Sequence, residues 1–211
     1  MHGCSGLTPL VEKWAKTKAK IFLDQGIGVL ILDSFKTRQV DSLCDTGTNY
    51  HWGWRRSEDA YSALDYLIEN KLAVSNQVSV MGRSNGGTAV VMTATLKMVR
   101  GHQNYFAAAF AVSPGCYALD REKYAIPLTI FIGDKDTVTV SELCKSLVRP
   151  TGAPVQMIEF KGVYHGYEDK TATYIFHGGH LEYNAKADKE TVERTLALIK
   201  SKNYQRGLEY R

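Results

Sequence analysis

Five apolar runs of strand length alternate along the chain with helical patterns, and this alternation restricts the fold more than any other feature. The runs contain few polar residues, so both faces of each strand must be buried. Parallel sheets covered by helices on both sides bury their strands in this way. The sequence therefore predicts a three-layer α/β fold with a mostly parallel sheet. The runs are residues 28–34, 77–81, 105–112, 128–133 and 155–160.

Capping residues and apolar spacing predict helices between these runs. Thr8 is a favoured N-cap and Pro9 suits the first helical position, and an amphipathic pattern follows them. Ser57 and Asp188 are predicted to cap two further helices in the same manner. The remaining predicted helices are residues 86–99 and 139–148.

The composition is that of an ordinary globular domain. The chain has 211 residues, of which 44% are hydrophobic and 23% are charged, and its formal net charge is +4. These values and the lack of a linker sequence predict one domain spanning residues 1–211. Lysine and arginine residues are scattered and no apolar run reaches the length of a membrane span. We therefore expect neither nucleic acid nor a membrane as a partner.

The four cysteines, Cys4, Cys44, Cys116 and Cys144, are not spaced as zinc ligands. The simplest interpretation is four free thiols in a reducing compartment. The first three each follow a predicted strand, or the place where a strand should be, so we expect them at one end of the sheet. A disulfide between Cys44 and Cys116 would be compatible with that placement.

The stretch VSVMGRSNGG, residues 78–87, is the strongest indication of chemistry. It fits the pattern G-x-S-x-G, in which a serine lies on a strained turn between a strand and a helix. A plain turn of this kind needs one glycine, and this one has three around Ser84. The glycines either permit tight packing or hold the serine in an unusual conformation that exposes it as a nucleophile.

Two later loops supply partners for such a serine. Asp134 and Asp136 follow the run 128–133, and His165 follows the run 155–160. The carboxyl ends of parallel strands lie at one edge of a sheet, where ligands bind. A serine hydroxyl needs a base and an oriented imidazole to act as a nucleophile, so these residues are the candidate base and acid. The order Ser, Asp, His along the chain is the one found on α/β folds with this turn.

In five stretches the sequence resembles the α/β-hydrolases, and more closely the dienelactone hydrolase-like family. The resemblance implies an α/β-hydrolase fold, Asp136 as the acid in the pattern G-x-x-D, and His165 as the base. It also implies an oxyanion hole formed by the backbone N–H groups of Cys4 and Asn85. Family members named dienelactone hydrolase use a cysteine nucleophile, so Ser84 favours a serine esterase relative. The stretches are HGCSGL, LDSFKTR, MGRSNGG, PLTIFIGDKDTV and YHGYE.

Three further residues are candidates for substrate binding. Arg38 could bind a substrate carboxylate or pair with Asp33 and brace its own loop. Trp52 belongs to an aromatic group that either lines a pocket or covers the core, and Tyr164 adjoins His165. The stretch HGGH, residues 177–180, is interpreted as a loop, because no carboxylate or cysteine lies at metal-ligand spacing from it. No metal and no cofactor are expected.

The expected activity is therefore hydrolysis of a small-molecule carboxylic ester or lactone through an acyl-enzyme. A peptidase or acyltransferase on the same fold remains an alternative, as does a weakly active or non-catalytic binding relative. The motifs do not predict which ester is cleaved.

The beginning of the sequence raises a structural question. In the resembled family a strand runs directly into the His-Gly loop and separates the strands matching residues 28–34 and 77–81. The loop begins here at His2, so we expect the natural protein to start upstream of Met1 with at least one more strand. If the chain folds as given, the two flanking strands must pair directly or another copy must fill the slot. The protein would be cytoplasmic as given, and periplasmic or secreted if a signal peptide precedes it.

Overall fold

A four-stranded parallel sheet forms the centre of the molecule, with the strands in the order β1-β2-β3-β4. The structure is a computed structural model that describes residues 1–45, 47, 49–74, 76–149, 152–176 and 178–201. All three neighbouring pairs run parallel, so the carboxyl ends of the four strands lie at one edge. The strands are β1 (Ser79–Arg83), β2 (Ala108–Val112), β3 (Leu128–Gly133) and β4 (Val155–Phe160).

Helices occupy both faces of this sheet, and an antiparallel hairpin follows β4. The hairpin consists of β5 (Thr173–Phe176) and β6 (Gly179–Glu182), which the sequence patterns did not predict. No helix in the described part of the chain is long and apolar enough to cross a membrane. The helices are α1 (Pro9–Leu23), α2 (Asn49–Glu69), α3 (Asn85–Thr93), α4 (Leu96–Val99), α5 (Ser141–Lys145) and α6 (Ala185–Lys200).

The side chains of β2 show how the three layers form. Ala109 and Ala111 belong to a large core cluster with residues of α2 and α3, including Tyr61. Phe110, which points the opposite way along the strand, belongs to a second cluster against which Leu198 of α6 packs. Every residue of β2 is buried, as expected for a strand covered on both faces. The prediction of a three-layer α/β fold is confirmed.

Local signals located some helix starts and missed others. Thr8 caps α1 and Pro9 is its first residue, as predicted. Ser57 lies inside α2, where its hydroxyl donates to backbone carbonyls of α2 and α3. Asp188 lies in the first turn of α6, and the N-cap is Asn184. Ser57 thus bonds within the core and Asp188 pairs with the partly buried Lys18, contacts that the sequence alone did not reveal. Thr95 caps a separate helix, α4, within the predicted helix 86–99.

The predicted strand at residues 28–34 does not form. A cavity of about 1050 Å³ separates residues 26–32 from residues 77–83, which include β1. A strand needs a neighbour at hydrogen-bonding distance, and residues 28–34 have no ladder with β1 or any other described strand. Val29, Leu30 and Ile31 are consequently 42%, 44% and 37% exposed. The two strands expected to flank the slot therefore do not pair with each other.

All four cysteines form disulfides, so the expectation of free thiols is wrong. Cys4 pairs with Cys44 at a Cα–Cα distance of 4.9 Å, and Cys116 pairs with Cys144 at 5.1 Å. The predicted bond between Cys44 and Cys116 is also wrong. The Leu43 N–H donates to the Cys4 carbonyl and brings the first pair together. Cys116 lies in the loop after β2 and Cys144 lies in α5 after the neighbouring strand β3, which brings the two segments side by side.

Candidate active site

Ser84 lies at the sharp turn between β1 and α3, with φ 50° and ψ −123°. This region of φ and ψ is unfavourable for a residue with a side chain, and such strain is characteristic of functional sites. The neighbouring glycines explain how the turn is accommodated. A Cβ on Gly82 would overlap the carbonyl of Gly86, and a Cβ on Gly86 would overlap the carbonyl of His2. The glycines thus permit close backbone approach, while the serine itself carries the strain.

A chain of hydrogen bonds joins the three predicted catalytic residues. His165 Nε2 lies 3.1 Å from Ser84 Oγ, and His165 Nδ1 lies 2.7 Å from Asp136 Oδ2. His165 and Asp136 are both 4% exposed. A neutral imidazole that donates from Nδ1 to the carboxylate can accept the serine proton at Nε2. This arrangement is chemically suited to nucleophilic catalysis.

The two candidate acids have different surroundings. Asp136 Oδ1 accepts hydrogen bonds from the backbone N–H groups of Val138 and Thr139 at 3.0 and 2.8 Å. These bonds fix the carboxylate so that its other oxygen faces the imidazole. Asp134 instead accepts from the N–H of Gly162 at 2.7 Å and pairs with Lys161. Asp134 therefore braces the turn after β4 and does not face the imidazole.

Thr139 is a residue of the site that the sequence analysis did not identify. Its Oγ1 lies 2.8 Å from Asp136 Oδ2, 3.1 Å from the Ser113 carbonyl and 3.3 Å from His165 Nδ1. The hydroxyl therefore adds a further polar contact to the carboxylate that orients the histidine. Its position three residues after Asp136 is the only signal that could have indicated it.

The hairpin β5–β6 supports the loop that carries His165. The backbone N–H of Glu182 donates to the His165 carbonyl at 3.1 Å, and Leu181 forms a bridge with the histidine. Gly166 has φ 70°, a conformation that a side chain would strain, and it turns the chain directly after the histidine. A hairpin that was not predicted, although Thr173–Phe176 consists of residues that favour strands, thus fixes the backbone of the base.

The predicted oxyanion segments lie against each other beside Ser84. A Cβ on Gly3 would lie 3.6 Å from the Cβ of Ser84, so the loop carrying Cys4 contacts the serine. Asn85 is the first residue of α3 and is buried. The amino end of a helix favours negative charge, which suits the stabilisation of an oxyanion. The disulfide to Cys44 and the hydrogen bond from Leu43 anchor the loop of Cys4.

Two arginines that the sequence patterns did not indicate adjoin this site, Arg83 partly buried and Arg56 fully buried. Arg83 precedes Ser84 and pairs with Glu168 at 2.7 Å and with Asp169 at 3.0 Å. Arg56 of α2 is fully buried and donates to the Asn85 side chain and to the His2 carbonyl. Burial and the nearby Arg56 charge lower the pKa of His2 to about 4, so His2 is neutral at physiological pH.

The three candidates for substrate binding each have their own local partners. Arg38 forms a bidentate pair with Asp59, at 2.6 and 2.9 Å, and also donates to the Ser34 carbonyl. Arg38 therefore braces its loop, but its partner is Asp59 rather than the predicted Asp33. Trp52 is half-buried and packs edge-on against Phe35 at 5.8 Å. Tyr164 is half-buried and its ring lies 4.3 Å from that of His180.

The HGGH segment is only partly described. His177 lies outside the described residues, and Gly179 and His180 begin β6 rather than continuing a loop as predicted. The imidazole of His180 lies 2.9 Å from the carboxylate of Glu182. Across the described ranges, no group of three or more histidine, cysteine, aspartate or glutamate residues is arranged to hold a metal.

Solved structures with the same fold include several hydrolases. A dienelactone hydrolase-like promiscuous phosphotriesterase from metagenomic libraries is 20% identical, with a TM-score of 0.73 over 94% of this chain and 82% of that one. An alpha-beta serine hydrolase homologue from Coxiella burnetii is 20% identical, with a TM-score of 0.52 over 74% and 69%. Puromycin hydrolase is 18% identical, with a TM-score of 0.53 over 70% of this chain but only 25% of its own. At these identities the likeness establishes a shared fold.

The sequence itself matches a family model over most of its length. No curated protein sequence matches the chain significantly. The match to the model of the dienelactone hydrolase family covers residues 12–202, which include Ser84, Asp136 and His165. The fold, the strained serine and the match over nearly the whole chain lead to one conclusion: the protein belongs to the dienelactone hydrolase family.

Proposed function

We propose that the protein is a serine hydrolase that cleaves carboxylic esters or lactones. The observation that carries this proposal is the continuous hydrogen-bond chain from Asp136 through His165 to Ser84, with the serine on a strained turn. Membership of a hydrolase family supports the same reaction class. A serine nucleophile activated by a histidine is sufficient for ester hydrolysis through an acyl-enzyme.

The proposed reaction has two halves. Ser84 Oγ attacks the carbonyl carbon while His165 Nε2 takes its proton, and the carbonyl oxygen becomes an oxyanion that the N–H groups of Cys4 and Asn85 stabilise. Collapse of this intermediate breaks the bond to the alkoxide, which leaves with the proton from His165. Water then attacks the acyl-enzyme with His165 as base, which releases the acid and restores the serine. Asp136 orients the imidazole and stabilises its protonated form throughout.

The proposed substrate side of the site contains aromatic rather than acidic groups. Trp52 and Tyr164 are proposed to contact the acyl or alcohol portion of a small ester, and nucleic acid and membranes are not proposed as partners. Arg38 is already engaged by Asp59, so we do not propose it as the principal anchor of a substrate carboxylate.

Labelling with a fluorophosphonate, followed by mapping of the modified residue, tests the nucleophile. We expect modification of Ser84 in the wild-type protein, none in Ser84→Ala, and normal labelling in Ser62→Ala, which alters an exposed serine of α2. Turnover of a short p-nitrophenyl ester is then compared with that of a peptide anilide and with acyl transfer to an added alcohol. Labelling at another residue, or an active serine that cleaves only the anilide, would overturn the proposal.

A further inference from the structure

Arg56 is a fully buried cation whose direct partners are neutral. Its guanidinium donates to the side-chain oxygen of Asn85 and, at 2.6 Å, to the backbone carbonyl of His2. Its planar face lies 5.1 Å from the ring of Phe35, which helps to exclude water. Among the described residues, no carboxylate lies within ion-pair distance of it. Burial lowers the pKa of Arg56 to about 10, although Asp59 and Asp33 raise it from farther away.

A buried cation without a carboxylate partner is costly, so its position requires an explanation. The two groups that it contacts belong to the two separate segments of the proposed oxyanion hole. His2 is two residues before Cys4, and Asn85 itself supplies the second N–H. The segments touch at Gly86, where only a hydrogen fits beneath the carbonyl of His2. One guanidinium thus connects a loop from the start of the chain to the amino end of α3.

We infer that Arg56 is a positioning residue for the oxyanion hole, an inference that rests on the proposed hydrolase function. By holding the His2 carbonyl and the Asn85 side chain, it fixes the directions of the Cys4 and Asn85 N–H groups. Its positive charge is not cancelled by a direct ion pair, so it also favours the negative charge that develops on the carbonyl oxygen. Arg56 does not touch the substrate in this scheme.

Loss of Arg56 is expected to weaken stabilisation of the developing oxyanion, and so to lower kcat, rather than to weaken substrate binding. Displacement of catalytic groups by about 1 Å can cost roughly 100-fold in rate, so Arg56→Met is expected to lower kcat by about 10- to 100-fold with KM changed less than about twofold. Arg56→Lys keeps the charge but loses the two-pronged geometry, and an intermediate kcat is expected.

A thionoester provides the readout that a merely structural role would not change. In this substrate sulfur replaces the carbonyl oxygen, and sulfur accepts hydrogen bonds weakly, so an oxyanion hole favours the oxygen ester. The ratio of kcat/KM for the oxygen ester to that for the thionoester is measured for each variant, with thermal unfolding to verify folding. We expect Arg56→Met to lower this ratio by about tenfold or more, since loss of one oxyanion donor costs about 100-fold or more in kcat.

Two other arginines serve as matched controls. Arg83→Met removes the partly buried guanidinium on the other side of Ser84 and should slow hydrolysis of both substrates equally, which leaves the ratio unchanged. Arg194→Met removes an exposed arginine that pairs with Glu190 on α6 and should leave both rates unchanged. A lower ratio in Arg56→Met alone supports the inference.

The outcomes separate this inference from the proposed function. If the wild-type protein hydrolyses neither substrate, the proposed function fails and the inference fails with it. If the wild-type protein strongly prefers the oxygen ester and folded Arg56→Met keeps that preference within about twofold, only the inference is overturned. Should Arg56→Met not fold, Asn85→Ala keeps the backbone N–H and removes the contact to Arg56. A lower ratio in Asn85→Ala then supports the inference, and an unchanged ratio overturns it.

Discussion

Two arginines flank Ser84, the partly buried Arg83 on the side of His165 and the fully buried Arg56 on the side of the proposed oxyanion hole, but their charges are balanced differently. On the histidine side, Arg83 pairs with Glu168 and Asp169, which follow His165 closely in the sequence. On the side of the proposed oxyanion hole, the described polar partners of Arg56 are uncharged: the Asn85 side chain and the backbone carbonyl and ring of His2. Burial opposes the charge of both residues, yet the two carboxylates raise the pKa of Arg83 while that of Arg56 falls to about 10.

This difference indicates how the two sides contribute to the proposed chemistry. The ion pairs of Arg83 join the turn of the nucleophile to the loop of the base, and Trp14 covers the guanidinium at 4.7 Å. Two carboxylates balance the charge of Arg83, so we expect these ion pairs chiefly to maintain the distance between Ser84 and His165. Arg56 instead has no direct ion pair among the described residues, and it lies beside the proposed oxyanion hole, where negative charge would develop. Such incomplete pairing of a charge is typical of functional sites.

Substitution of Ser84, which lies between the two arginines, is expected to have the largest effect on kcat. Ser84→Ala removes the nucleophile, and kcat for a p-nitrophenyl ester should fall by at least about 10⁴-fold with little change in Tm. Steady-state kinetics and thermal unfolding check this, with Ser62→Ala as the control. Near-normal turnover by folded Ser84→Ala would exclude the proposed mechanism.

A change on the histidine side should have the next largest effect. Asp136→Asn disturbs the tautomer of His165 and is expected to lower kcat by roughly 10² to 10⁴-fold. Asp134→Asn is the matched control, because this carboxylate lies two residues earlier and braces the turn at Gly162. Its kcat should stay near the wild-type value. Equal losses in the two variants would contradict the assignment of Asp136 as the orienting acid.

The two disulfides allow the oxyanion side to be weakened by itself. They close loops of similar length, 40 and 28 residues, so removing either should lower the free energy of unfolding by about 3 to 4 kcal/mol. Only Cys4→Ser/Cys44→Ser removes the covalent anchor of the loop that carries Cys4, which is part of the proposed oxyanion hole. We expect this variant to lower kcat about tenfold.

The companion variant is Cys116→Ser/Cys144→Ser, which should retain kcat at temperatures where it remains folded. Urea unfolding and ester kinetics on both double variants make the comparison. If the two variants lose activity only in proportion to their stability, the Cys4–Cys44 bond has no particular role in the oxyanion loop.

The smallest expected effect concerns the ion pairs of the histidine side and depends on pH. Burial would raise the pKa of Asp169, but hydrogen bonds from Thr171 and the charge of Arg83 lower it below its ordinary 3.8. The unfolded chain therefore binds the proton more tightly, so this carboxylate contributes stability above pH 3.8 that is lost as the pH falls. Asp169→Asn should lower the free energy of unfolding by roughly 1 to 3 kcal/mol at neutral pH.

Urea unfolding of wild-type and Asp169→Asn protein between pH 3 and 7 measures this difference. The gap in stability should be constant from pH 7 to about pH 5 and should narrow below about pH 4. Asp24→Asn, which alters an exposed pair with Lys20, should show almost no gap at any pH. A gap for Asp169→Asn that is the same at pH 3 and pH 7 would contradict the role of its charge.

Much of the fold and of the candidate site could be predicted, because those features depend on local signals. The bounds of β3 and β4 match the predicted strand-length runs, which contain few polar residues, and the start of α1 follows from Thr8 and Pro9. The glycines around Ser84 indicated that backbone segments approach each other closely there, which a residue with a side chain would prevent. The edge where His165 and Asp136 meet the serine follows from the parallel sheet, since each residue comes directly after a strand.

The sequence by itself determined which residues carry polar groups after each strand, and therefore the candidate nucleophile, base and acid. The tertiary structure decided which disulfides, hydrogen bonds and ion pairs hold these residues in position. The pairing of Cys4 with Cys44, the contact of Arg56 with Asn85 and the ion pairs of Arg83 join segments between 29 and 86 residues apart. Residues 28–34 also depend on tertiary structure, because an apolar run forms a strand only where another strand lies beside it. Local propensity acts over a few residues, whereas hydrogen bonds, disulfides and buried charges depend on distances that only the folded chain establishes.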